Sequence, residues 1–125
     1  MKELLFVGAG GFVGSVLRYL VGGAAQRLAP TLSFPLGTFT VNVVGCLAIG
    51  LLSGLAETRD LIGPQARLFL TVGLLGGFTT FSAFGYETVV LARDAERLYA
   101  LVNVAASVTV GLGAVWVGQV LGRMG

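Results

Sequence analysis

The chemistry open to this sequence rests on few residues, and most of them fall in the stretch 73–87, which reads GLLGGFTTFSAFGYE. It sets Gly76 and Gly77 beside the hydroxyls of Thr79, Thr80 and Ser82, and spaces phenylalanines at 78, 81 and 84. Asn42, Asn103 and Ser107 add two amides and a hydroxyl from elsewhere. All of these are donors without fixed charge, able to stabilise a small anion that has shed its water. Aromatic rings extend the set, because a ring edge carries positive partial charge. Phe81 and Phe84, three apart, can present such edges to an anion or simply pack. Asn42, and the four-residue stripe Asn103, Ser107 and Gly111, likewise serve either a passing ion or adhesion between helices. A break around Gly76 and Gly77 would free N–H groups for an anion and aim carbonyl oxygens at a hard cation.

The elements that must position these groups lie in lipid. Of 125 residues, 55% are hydrophobic and 11% charged, with a mean hydropathy of +0.90; a soluble domain carries about 25% charged residues. Apolar runs at about 4–25, 36–56, 67–92 and 98–121 each reach the roughly 20 residues that a spanning helix needs. The expected fold is an all-α membrane protein, one four-helix domain, with the third transmembrane helix broken near its middle. In lipid such a break is tolerable only where it is buried in protein or lines a polar cavity. Pro35 is placed to start the second helix; Thr38, Asn42 and Gly45 share one of its faces. Gly8, Gly11 and Ser15 form a small-residue stripe suited to close packing of the first, and residues 57–65 form a solvated turn.

Composition also excludes. A net charge of +2 without clustering argues against nucleic-acid binding. Histidine is absent and Cys46 is the single cysteine, so neither a zinc site nor an internal disulfide can be assembled. Cys46 is expected to be a small buried side chain. Glycines at 8, 11 and 14 imitate a dinucleotide-binding turn, but the acidic residue that must follow about 20 positions on is missing: after Glu3 the next is Glu57. No organic cofactor is expected. Arg18 inside the first apolar run, and three spans after it, argue against a cleaved signal peptide. The spans supply no nucleophile and base pair, so no enzyme is expected.

Orientation is unusually balanced. Lys2, Arg59, Arg67 and Arg123 lie on one side of the expected membrane, while Arg18, Arg27, Arg93 and Arg97 lie on the other. Without the usual bias of basic residues, the chain is expected to insert both ways unless one charge dominates. Four helices cannot easily wrap a polar path, so an oligomer is expected. Two orientations would give an antiparallel dimer with its two-fold axis in the membrane plane.

GGFVGSVLRY in the first span, PLGTFTVNVVG opening the second and GGFTTFSAFGYE in the third together resemble the small dual-topology fluoride channels, the Fluc family, over essentially the whole chain. The resemblance implies an antiparallel, dual-topology homodimer in a bacterial inner membrane, with two fluoride pores and a structural sodium ion at the dimer centre. It implies that Phe81 and Phe84 meet fluoride with their ring edges and that Asn42 donates to it. It further implies that the backbone carbonyls of Gly76 and Thr79 hold the sodium, with Ser82 and Glu87 forming a polar track on the third span and Ser107 with Asn103 one on the fourth. Ala83 departs from the family where a hydroxyl is common; Asn103 and Gly111 stand where tyrosine and serine are frequent. The function so implied is passive, selective export of fluoride that protects the cell. Two rivals are a dual-topology exporter of small organic cations, for which the spans lack a midspan carboxylate, and a non-conducting membrane subunit.

Overall fold

The computed structural model describes residues 1–60 and 62–125; Leu61, within the expected solvated turn, lies outside the described residues. Among the described residues, four helical stretches are long and apolar enough to cross a membrane. They are α1 (Lys2–Arg27), α2 (Leu36–Thr58), a composite third span (Pro64–Arg93) and α6 (Arg97–Met124). The third span runs as α3 (Pro64–Arg67), a π-helical segment (Leu68–Leu75), α4 (Gly76–Phe78) and, after an interruption, α5 (Phe81–Arg93). Pro64 occupies the first helical turn, where its missing N–H removes no helical bond.

Two glycine seams hold these helices together. Between α2 and α6 a Cβ built on Gly50 would strike the Val115 carbonyl oxygen, and one on Gly54 that of Gln119; one on Gly118 would strike Leu47, and one on Gly122 Leu51. Each helix thus offers an i, i+4 glycine pair to the other's backbone, an approach that van der Waals packing rewards where no hydrophobic effect acts between helices. Between α1 and the third span, Gly10 and Gly14 press on the backbones of Phe69 and Leu74, while Gly73 and Gly77 press back on Val7 and Gly11. The expected stripe holds in part: Gly11 and Ser15 lie against Gly77, whereas Gly8 meets nothing within 4 Å and the tightest contacts from α1 fall to Gly10 and Gly14, an i, i+4 pair on one face.

The break is also displaced from its expected place. Gly76 keeps helical angles (φ −61°, ψ −40°), and the chain leaves the helix at Thr79 (φ −90°, ψ 157°) and Thr80 (φ −150°, ψ 117°). Gly77 is there for close packing rather than for turning, since a Cβ on it would lie 2.7 Å from the Gly11 carbonyl oxygen.

At the far end, α5 passes into α6 through a Schellman turn: Glu96 N–H donates to the Leu91 carbonyl (2.8 Å), with Ala95 at φ 63°. That left-handed position is usually glycine, and a Cβ there costs about 1 kcal/mol. Ala95→Gly should therefore stabilise the protein by up to about 1 kcal/mol, read as a raised unfolding midpoint in detergent; an unchanged or lowered midpoint would show that the turn carries no strain.

Candidate functional site

Breaking a helix releases backbone groups, and the structure shows who receives them. Asn42 on α2 faces the interruption with its whole amide: Nδ2 donates to the Thr80 carbonyl (3.1 Å) and Oδ1 accepts from Thr80 N–H (2.8 Å). Thr80 N–H would otherwise close on Gly76, so the pairing also leaves the Gly76 carbonyl without that donor. Thr80 caps α5 by accepting from Ala83 N–H at its hydroxyl (3.2 Å). From α1, Arg18 Nε donates to the Gly77 carbonyl (2.9 Å), placing a positive charge at the carboxyl end of the first half-helix, where the dipole favours it. The methyl of Thr79 fits where a side chain on Gly45 would stand, while its hydroxyl turns back to Leu75 (2.9 Å). The α2 face of Thr38, Asn42 and Gly45 is thus the face turned to the break.

Two cavities meet at this point. One, of about 440 Å³, is a groove lined by Asn42, Gly76, Thr79, Thr80, Phe81, Phe84 and Ser107, with Cys46 also in its wall. The rings of Phe81 and Phe84 lie 5.6 Å apart at 44°. Phe81 is 83% exposed, so its ring stands out from the chain's surface. The second cavity, of about 550 Å³, holds Arg18, Gln26, Thr38, Ala83 and Glu87. Thr80 lines both, and the broken backbone is the partition between them.

Of the residues singled out in the sequence, the structure brings Asn42, Gly76, Thr79, Phe81, Phe84 and Ser107 onto one groove. Glu87 lies instead in the second cavity, its Oε1 shielded and without a partner among the described residues. Ser82 is exposed beside Thr80, hydroxyl to hydroxyl at 3.3 Å, and lines neither cavity. Asn103 is 1% exposed and sits behind the groove, bonded to Thr88 and Ser107. Cys46 is half-buried rather than fully enclosed. Thr88 was not singled out, although its place seven residues after Phe81 and four after Phe84 is a helical spacing that marks it. Among the described residues no three carboxylate or thiol side chains converge on a metal-sized site.

A four-span helical scaffold opening one interrupted helix onto a groove of neutral donors and ring edges defines a multi-pass membrane protein with a polar-rimmed groove beside its broken span. Comparison with known proteins then gives the family. The model described as "CrcB-like protein, Camphor Resistance (CrcB)" matches residues 5–119, and the chain belongs to that family. Among its relatives, a protein of Chlorobaculum tepidum named fluoride-specific ion channel FluC is 49% identical over 124 residues, covering 99% of this chain and 97% of its own. The protein of the same name from Methylobacillus flagellatus is 45% identical over the same shares, and that of Allorhizobium ampelinum 47% identical over 98% of each chain.

The Asn42 pairing is directly testable. Asn42→Ala would strand both polar groups of Thr80, each costing about 1–3 kcal/mol when buried. A loss of about 3 kcal/mol in unfolding free energy in detergent is expected; a loss under about 0.5 kcal/mol would mean that water replaces the amide there.

Proposed function

We propose that this chain is a passive, selective fluoride channel that lets fluoride leave the cell and so protects it, working as an antiparallel, dual-topology homodimer in the plasma membrane. The observation that carries the reading is the groove: Asn42, Phe81, Phe84 and Ser107 on one surface, in a chain nearly half identical to proteins named for fluoride conduction. Asn42 has two amide hydrogens, and only one is spent on Thr80; the other is available to an ion. Neutral donors and ring edges suit fast passage of a strongly hydrated anion, because a fixed cation would hold it too long. Arg18, the cation bonded to the broken span, is in the other cavity and does not line the groove.

The dimer is supported by the groove's incompleteness. Its polar rim and the outstanding Phe81 belong to an unclosed surface, which a bilayer would penalise. Gly76 is exposed on the same surface, and an inverted twin laid there would close the groove and give two equivalent passages. Gly76 and Thr79 also fit a hard cation such as sodium: both lie on that surface, the break withdraws the donor from Gly76, and oxygen is the ligand such ions prefer. Two carbonyls from each protomer would hold it, and its charge would offset the repulsion anions meet in a low-dielectric interior. Ser82, exposed beside Thr80, and Glu87, in the second cavity, both follow the break on α5 and would serve as further polar stations for the ion.

Purified protein in liposomes should discharge fluoride to an electrode and pass almost no chloride; comparable chloride efflux would defeat the proposal. Phe81→Ile and Phe84→Ile should each slow fluoride efflux about tenfold, the loss of an aromatic contact worth ~1.4 kcal/mol, while the assembly keeps its size-exclusion volume. Unchanged efflux would return both rings to plain packing.

A further inference from the structure

We infer that Asn103 is a positioning residue that withholds the Ser107 proton from the groove, making Ser107 a weak, switchable donor; this rests on the reading of the groove as an anion path. Four groups run in series behind Phe84. Thr88 Oγ1 lies 2.7 Å from the Phe84 carbonyl, Asn103 Nδ2 lies 2.9 Å from Thr88 Oγ1, and Ser107 Oγ lies 3.2 Å from Asn103 Oδ1. The carbonyl at the end fixes the direction of every proton. It can only accept, so Thr88 must donate to it, and the Thr88 hydroxyl is left to accept from Asn103. The amide must then turn its NH2 to Thr88 and its oxygen to Ser107, and an oxygen can only take the Ser107 proton. Ser107 lines the groove, yet at rest it shows the groove lone pairs rather than hydrogen.

An anion that takes the Ser107 proton leaves Asn103 Oδ1 unpaired on a side chain 1% exposed, and an unpaired buried acceptor is costly. The anion is therefore held less firmly than a free serine would hold it, and leaves sooner. Asn103 touches no ion in this scheme; it acts through Ser107. Its full burial and its paired oxygen and nitrogen are accounted for by that role.

The test is fluoride efflux from proteoliposomes as a function of fluoride concentration, for wild type, Asn103→Leu, Ser107→Ala and the double variant. Asn103→Leu should lower the half-saturating concentration about tenfold and also lower maximal flux. Ser107→Ala should raise the half-saturating concentration, and the double variant should behave as Ser107→Ala alone. An Asn103→Leu effect that survives undiminished without Ser107, or a rise in half-saturation with Ser107 present, would overturn the inference. Thr88→Val serves where Asn103→Leu does not fold: it frees the amide to turn and should also lower half-saturation, and no change would count against the relay. If the wild type carries no fluoride, the channel reading fails by itself, and the relay is judged by the Asn103 side-chain amide signal of 15N-asparagine-labelled protein. That signal should move in Ser107→Ala and Thr88→Val; a signal unmoved in both overturns it.

Discussion

Three backbone groups, the N–H and carbonyl of Thr80 and the carbonyl of Gly77, have to be paired in a place where water is scarce, and much of the structure follows from that. The Thr79–Thr80 interruption sits within a span, where an unmatched N–H or carbonyl costs several kcal/mol. Asn42 answers it from α2 and Arg18 from α1, on opposite sides of the break. Neither could do so from a helix held at ordinary distance. Gly10, Gly14 and Gly77 bring α1 onto the third span closely enough for the guanidinium to reach Gly77, and Gly45 lets Thr79 seat against α2. The glycines and the polar side chains thus make one device, the first setting the distance and the second using it.

The same pairing divides the segment into two chemically different halves. Asn42 removes the Thr80 amide from the helix ladder, which leaves oxygen-rich backbone at the end of α4. Beyond Thr80 the cap begins α5, whose first turn carries the two rings and the hydroxyls. Oxygen acceptors therefore lie before the interruption, and donors and ring edges after it, with no ionised side chain lining the groove between them.

Much of this was legible in the sequence for physical reasons. Hydropathy and length locate spanning helices well, because lipid permits so few backbone solutions, and a polar, glycine-rich centre betrayed the interrupted span. What misled was the assumption that glycines mark the bend. Gly76 and Gly77 stay helical, since threonine in extended conformation with a capping hydroxyl can end and restart a helix without glycine. The seams were half visible: Gly50, Gly54, Gly118 and Gly122 show an i, i+4 rhythm, but only coordinates tell which of several glycine rows meets a partner. Asn103 illustrates the deeper limit. Its spacing from Ser107 put both on one stripe, whereas a side chain aimed into a groove and one buried behind it have the same period.

The α2–α6 seam has a consequence for how the protein is made. Polar adhesion between helices must be carried through the translocon by each helix before its partner exists, and every such group lowers the tendency to partition into lipid. Glycine carries no such burden. Joined backbone to backbone through Gly50, Gly54, Gly118 and Gly122, α2 and α6 keep a hydropathy of 1.9, against 1.5 for the composite third span. Each of the two can enter the bilayer alone and find the other by shape. Asn42 on α2, and Asn103 and Ser107 on α6, are thereby left for the groove and its backing rather than for holding the two helices together.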